Sequence, residues 1–400
     1  MRTKLVIFGI TGDLASRKLL PALHAIVESG ACNPIEIIGV SRREVSVADL
    51  IQQSTGADTL TPLTKVLQFD VAHVHEYGPL KDALQLVEDE QALIYLSVPP
   101  GAAADIADLL GEAGITGPRI KILFEKPFGY DEASARDFIE RTARSFDDTQ
   151  TYRIDHFMAK EVSLALLELR AVAENHHHHW DATSVESIEM IATETLGVEG
   201  RGQFYEQTGA LRDIVQGHLL QLLSLVLMKP ITSEQLALLP QHRLEALQHL
   251  QIADPRESVR AQYEGYDAEV ENPGSTTETF VSLVLQSEDP RWSEVPIRIL
   301  TGKALHEKKT AITVHYKDGS KDTFVEGEVF SSVDGLRDAY QRVLVQAIQG
   351  QKALFTTADE IVRSWQLLGA VQQAWAMNDA PLQRYAKGQN ASHVHLQRYI

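Results

Sequence analysis

The stretch "KLVIFGITGDLASRKLLPALHAIV", residues 4–27, most constrains what this chain can fold into. An apolar strand runs into Gly9, a second glycine follows at Gly12, and helical apolar spacing begins at once. A strand, a glycine turn and a helix in that order open a βα unit. The glycines let backbone N–H groups approach a bound group with no Cβ in the way. The helix N-terminus adds unpaired donors and the positive end of its dipole, a seat for a pyrophosphate. The spacing is G-x-x-G-x-x-A, not the full dinucleotide fingerprint, so an ordinary glycine-containing βα turn satisfies it as well. Pro21 falls inside the helical pattern and predicts a break or kink there.

The alternation continues. "IEIIGV" (35–40), "KVLQFDV" (65–71), "ALIYLSV" (92–98) and "IKILFE" (120–125) read as further strands with helical patterns between them. This predicts a Rossmann-type, doubly wound parallel sheet over residues 1–154, with its ligand crevice at the carboxyl ends of the strands. Beyond it, "KEVSLALLELRAVA" and "LRDIVQGHLLQLLSLVLM" have long helical patterns. "TETFVSLVLQ", "VPIRILTG" and "AITVHYKDG" then follow as strands in close succession, and helical sequence (336–376) follows them. A second, α+β domain over residues 155–400 is expected, a mixed or antiparallel sheet with packed helices.

Charge and composition bound the partners. A formal net charge of -18 speaks against nucleic acid and anionic membrane surfaces. No apolar stretch reads as long enough to span a bilayer. Cys32 is the single cysteine, which precludes an internal disulfide and suits a reducing compartment. The first strand begins at residue 4, leaving no room ahead of it for a signal peptide. A cytoplasmic protein is expected. "HHHH" at 176–179 invites a metal reading, but consecutive residues on a helix point in different directions, so a solvated helix end or loop is expected instead.

The second strand leads into "GVSRRE". An NAD-selective site carries an acid there for the ribose hydroxyls. Ser41, Arg42 and Arg43 stand in its place, and arginine can clamp a 2′-phosphate, so NADP is favoured over the bland reading of two solvated arginines. "LFEKPFG" (123–129) closes the fifth strand with Lys126, and Pro127 admits a cis bond. In "YRIDHFMAKE" (152–161) Asp155 adjoins His156, and Lys160 lies four residues on. If a helix begins there, His156 and Lys160 share a face, two cations suited to a phosphate or carboxylate. His218 sits among leucines, where a histidine is usually a core residue. Yet a neutral imidazole paired with a carboxylate is also what a general base requires. Asp213 opens the same pattern, and Glu194 lies upstream in "TETLGVEGRG".

In chain order, "GITGDLASRKLLPAL", "GVSRR", "LSVPP", "FEKPFG", "YRIDHFMAKE", "TETLGVEGRG", "RDIVQGHLLQLLSLVLMKP", "RAQY", "GSTTETF", "ILTGKALHEKK" and "DAYQRVLVQAIQG" resemble the glucose-6-phosphate dehydrogenase family over most of the chain. The resemblance implies NADP-dependent oxidation of glucose 6-phosphate at C1 to the 6-phosphogluconolactone, opening the pentose phosphate pathway, with no metal. It also implies roles. His218 would be the base and Asp155 its partner, with Lys126 setting substrate against the nicotinamide. His156 and Lys160 would hold the phosphate, Glu194 and Asp213 the sugar hydroxyls, and Lys303 and Lys308 would add basic contacts. Gly9, Thr11, Gly12, Asp13, Leu14, Arg42 and Pro99, with Lys126, would line the cofactor.

Departures from the family pattern stand beside these matches. Phe157 replaces the usual tyrosine and removes a hydroxyl from the phosphate site, Ala159 replaces a glycine, and Gly217 replaces an asparagine. Between "AITVHYKDGSKDTF" and "DAYQRV" the family's strand region has no counterpart. That region belongs to the sheet through which family members associate, so a homo-oligomer (dimer or tetramer) with a reduced interface is expected. Two alternatives compete. A sugar oxidoreductase of the Gfo/Idh/MocA type shares the E-K-P motif but places its lysine and histidine differently. A non-catalytic sugar-phosphate-binding paralogue would not be expected to retain Asp155, His218 and Lys126.

Overall fold

Strands buried on both faces must be apolar at nearly every position. In the computed structural model of the chain, Leu5, Val6, Ile7 and Phe8 are all fully buried, and the run from Ala92 to Leu96 is almost as dry. The structure describes residues 1–32, 35–171, 179–328, 336, 338–377 and 382–396. In chain order its strands are β1 (Arg2–Phe8), β2 (Ile35–Ser41), β3 (Thr64–Gln68), β4 (Glu90–Leu96), β5 (Ile120–Phe124), β6 (Thr151–Ile154), β7 (Val185–Thr193) and β8 (Leu250–Ile252). They continue with β9 (Val259–Tyr263), β10 (Phe280–Ser287), β11 (Ile297–Gly302), β12 (Lys309–Tyr316), β13 (Lys321–Val325), β14 (Phe355–Thr356) and β15 (Leu382–Tyr385).

The chain divides into two compact units. The first comprises Met1–Gly129, Ala133–Ala159 and Val333–Ala358, and the second Tyr130–Glu132, Lys160–Ser332 and Asp359–Ile400. The first unit holds a sheet of order β14-β6-β5-β4-β1-β2-β3, with β1 to β6 parallel and β14 antiparallel at the edge. The winding reverses between β1 and β4, which is where an open sheet of this kind leaves its ligand crevice. Helix Ala339–Gln349, far along the chain, completes this unit. Lys121 Nζ donates to Ala347 O at 3.2 Å, and Gln91 Nε2 donates to Ile348 O at 2.7 Å. Lysine at a helix C-terminus also meets the negative end of its dipole.

The second unit holds a mixed sheet of order β13-β12-β7-β11-β10-β9-β15, with β8 paired to β10. The β7–β11 and β9–β15 pairs are parallel and the rest antiparallel. The sequence neighbours β11 and β12 do not pair. The nine-residue β7 enters between them, bonded to both.

One expectation is corrected. Among the described residues, helical stretch Gly202–Leu227 does have the length and hydropathy to cross a membrane, but 83% of its apolar window is buried inside the fold. Every residue from Val215 to Met228 is buried, so this is the core helix of the second unit. It is anchored by packing: Trp292 Nε1 donates to Leu227 O at 2.8 Å. Nearby, helices Leu239–Gln248 and Ala358–Ala376 are joined by a fully buried ion pair. Arg243 Nε lies 2.7 Å from Glu360 Oε1, and Nη2 lies 3.1 Å from Oε2, a two-pronged geometry that lysine cannot reproduce.

Candidate active site

The first unit carries the expected cofactor residues at the carboxyl ends of its parallel strands. Gly9 follows β1 at φ 75°, and a Cβ there would stand 2.2 Å from Ser97 O, so only glycine lets the chains after β1 and β4 approach this closely. Gly12 N donates to Gly9 O at 2.9 Å and Ser16 N to Gly12 O at 3.0 Å, which closes the turn and starts the helix. Thr11 and Asp13 are exposed and Leu14 is half-buried. Asp13 pairs with Arg17 at 2.7 Å, but both side chains are open to water and the pair adds little. The break expected from Pro21 takes the form of a π-helical turn, Ala15–Leu19, ahead of the regular helix Leu20–Ser29. Arg42 and Arg43 follow β2, both exposed, with Arg43 N on Ser41 Oγ at 3.1 Å. Pro99 follows β4 and leads into helix Pro100–Glu112. Gly9–Leu14, Arg42 and Pro99 thus stand at the carboxyl ends of β1, β2 and β4.

Lys126 follows β5, and the Lys126–Pro127 peptide is cis. The preceding residue, Glu125, had no role in the sequence reading. Its Oε1 accepts a hydrogen bond from Tyr95 OH. Burial pushes its carboxyl up to about 7, with Asp155 adding to the rise, while the Tyr95 bond and Lys126 pull against it. Asp155 follows β6 and is 1% exposed. Its Oδ1 accepts from Phe157 N at 3.0 Å, and its carbonyl accepts from Met158 N at 3.0 Å. This local bonding competes with an α-helix. His156–Ala159 is accordingly a 3-10 turn, Lys160 a bend, and the α-helix begins only at Glu161. The α-helical face on which His156 and Lys160 were expected together is therefore not formed.

Within the first unit, His156 stacks on Tyr340 (centroids 6.3 Å apart, planes 11° apart) and meets Phe157 edge-on at 5.2 Å. Arg342, also unassigned by sequence, is buried and donates to Ala159 O at 3.0 Å, fixing the turn from helix Ala339–Gln349.

The second unit carries the remaining candidates. Lys160 faces Glu326 at 3.9 Å. Glu194, just past β7, bonds through its N–H to Gly302 O (2.9 Å) and through its carbonyl to Leu305 N (2.9 Å). Those bonds set it beside Lys303, whose ammonium pairs with the Glu194 carboxylate and lies 5.1 Å from the Tyr205 ring centroid. Lys308 is exposed at the head of β12. Asp213 and His218 lie on a nine-residue π-helical segment, Leu211–Leu219. In an α-helix, positions five apart stand about 140° apart around the axis. With i→i+5 bonding the turn is wider, which brings position 218 round towards the side of the axis that carries Asp213. His218 is 3% exposed and Asp213 half-buried. Buried Gln216 Nε2 donates to Ser364 Oγ at 2.9 Å and pins the segment from outside. Gly217 lies buried within it. Of the histidine run, His176–His178 lie outside the described residues, and His179 is exposed.

Comparison with known proteins places this architecture. The family profile "Glucose-6-phosphate dehydrogenase, NAD binding domain" matches residues 6–163. The profile "Glucose-6-phosphate dehydrogenase, C-terminal domain" matches in two pieces, 167–335 and 324–397. Those pieces overlap at residues 324–335, which run from the end of "AITVHYKDGSKDTF" towards "DAYQRV". A curated glucose-6-phosphate 1-dehydrogenase of Gluconobacter oxydans is 31% identical over 459 aligned positions, covering 96% of this chain and 93% of that protein. That span exceeds the chain's 400 residues, so the chain is gapped against it. The crystal structure of glucose-6-phosphate 1-dehydrogenase from Mycobacterium avium matches at TM-score 0.83 and 30% identity, over 99% of this chain and 96% of that one. A glucose-6-phosphate dehydrogenase in complex with glucose 6-phosphate matches at TM-score 0.87 and 25% identity, over 97% and 95%. By both profiles and by these relatives, the chain belongs to the glucose-6-phosphate dehydrogenase family.

Proposed function

We propose that this protein oxidises glucose 6-phosphate at C1 to 6-phosphogluconolactone with NADP, the opening step of the pentose phosphate pathway. The observation that carries the reading is the π-helical segment, whose wide turn brings His218 round towards the side that carries Asp213. Oxidising a hemiacetal carbon needs one group to hold the sugar hydroxyls and another to take the hydroxyl proton. His218 takes the proton of the C1 hydroxyl, and Asp155 holds its tautomer and stabilises the imidazolium. Glu194 and Asp213 accept from sugar hydroxyls, Lys303 and Lys308 add positive charge, and His156 and Lys160 hold the phosphate.

The first unit fits the cofactor, because the close approach at Gly9 is a cradle that any Cβ would fill. Gly9, Thr11, Gly12, Asp13 and Leu14 would hold the pyrophosphate, Arg42 the 2′-phosphate, and Pro99 and Lys126 the nicotinamide side. When bound, NADP supplies the hydride acceptor. A Gfo/Idh/MocA-type reading has only likeness of fold behind it: levoglucosan dehydrogenase matches at TM-score 0.57 and 10% identity.

Replacing His218 with Asn should lower turnover by roughly two to four decades, the range of general-base loss, with little change in the Michaelis constant for glucose 6-phosphate. Turnover within a few-fold, with a lower melting temperature, would make His218 a core histidine. Free glucose turned over as well as the phosphate would favour the sugar oxidoreductase instead. We place the protein in the cytoplasm as a homo-oligomer held less securely than its longer relatives. Among the described residues its second sheet ends at the five-residue β13, which carries Lys321 and Asp322, features that blunt an edge. Sedimentation across a concentration series should show dissociation, and a dimer intact at nanomolar protein contradicts this.

A further inference from the structure

The segment "GSTTETF" (274–280) carries a resemblance but no assigned role. Its acid, Glu278, is buried at the head of the helix that bears Asp213 and His218. The Glu278 carbonyl accepts from Ala210 N at 3.0 Å, and its Oε1 accepts from Leu211 N at 2.9 Å. Just before these two residues the helix breaks at Gly209, with φ 64° and ψ 176°, a conformation essentially reserved for glycine. A Cβ on Gly209 would stand 2.3 Å from Glu278 Oε1 and 2.7 Å from its Cδ. The break makes room for the carboxylate, and the second part of the helix starts on it. A helix start offers unpaired N–H donors and a positive dipole end, which a carboxylate answers.

The next residue ties in the other half of the substrate cluster. Thr279 O accepts from Lys303 N at 2.9 Å, and Phe280 pairs with Gly302 across β10 and β11. Three consecutive residues therefore connect the helix of Asp213 and His218 to the strand end that carries Lys303 and, through Gly302, to Glu194. A π-helical segment is a departure from the regular ladder, so its register has to be set by contacts outside it.

We propose that Glu278 is a positioning residue. By fixing where the helix starts, it sets the rotation of Asp213 and His218 relative to Lys303 and Glu194. This rests on the function proposed above. The test compares Glu278→Gln, Glu278→Asp and Glu278→Ala in the full chain, with kcat counted per folded protein. Glutamine keeps an acceptor at the same reach and should hold kcat within threefold. Aspartate keeps the charge but falls one methylene short, and it should lower kcat at least tenfold, as should alanine. The Michaelis constant for NADP should stay within twofold in all three, since its expected residues lie in the other unit.

Where alanine fails to fold, the Asp and Gln pair carries the test. Aspartate and glutamine equal to each other in kcat, whether both active or both damaged, overturn the proposal. So does a loss of activity that only tracks loss of folded protein. Wild-type protein that does not turn over glucose 6-phosphate overturns the functional reading, and this inference with it. A working wild type with aspartate equal to glutamine overturns this inference alone.

Discussion

Replacing Glu125 with Gln should stabilise the protein above pH 7 and change little near pH 4.5. Burial lifts the Glu125 carboxyl from an ordinary 4.5 to about 7 in the folded chain. Below that window both folded and unfolded chains hold the proton, and above it neither does. Inside it the folded chain keeps a proton that the unfolded chain has lost, so stability falls as pH rises. Each pH step of this kind is worth about 1.4 kcal/mol, which makes about 3 kcal/mol over the whole window. Glutamine mimics the protonated acid, still accepts from Tyr95 OH, and does not titrate.

The gap between variant and wild type should therefore open between pH 4.5 and 7 and then hold constant. Urea unfolding followed by circular dichroism at pH 5, 6, 7 and 8 measures it. At the usual denaturant sensitivity, the full gap moves the midpoint by roughly 1 M. Parallel stability–pH curves would refute the reasoning, as would a variant weaker than wild type at pH 8. In either case Glu125 would be ionised and held by Lys126.

Arg42→Ala should raise the Michaelis constant for NADP about tenfold or more, the loss of a charged hydrogen bond, and leave NAD use unchanged. Steady-state rates with both cofactors check this, and equal losses would make Arg42 structural. Arg243→Met leaves the Glu360 carboxylate buried without its guanidinium and should cost about 3–5 kcal/mol in thermal unfolding. The double variant Arg243→Met/Glu360→Leu should recover most of that loss, and a double variant as weak as the summed singles would contradict the account.

The sequence made β1, β2, β4 and β5 legible because strands buried on both faces must be largely apolar, whereas the edge strand β3 has no fully buried residue. β14 was illegible, since two residues carry no period, and its place depends on pairing Phe355 with Ile154. The insertion of β7 between β11 and β12 could not be read either, because strand order is decided by long-range packing. At the site, Gly9 and Arg42 were visible as departures from local expectation. The 3-10 turn at His156 was not, because the Asp155 side chain competes with the helical ladder through a bond that leaves apolar spacing untouched. The π segment hid for a related reason, since leucine-rich sequence supports α and π winding alike. Glu278 and Arg342 act through hydrogen bonds to distant backbone, and nothing near them in sequence signals it.

The discontinuity of the first unit bears on how the protein is made. Its last piece, Val333–Ala358, follows the long Lys160–Ser332 stretch of the second unit, so the parallel sheet is finished only after that stretch has been made. Until then β6 has an open edge on the side that β14 will cover. Such an edge is a template for wrong pairing, and nascent chains crowded on one messenger offer partners for it. The ribosome therefore holds an incomplete nucleotide-binding unit while the intervening stretch Lys160–Ser332 is made. Shielding of that edge by a chaperone, rather than the speed of sheet formation, should govern how much of the chain reaches its native state in the cell.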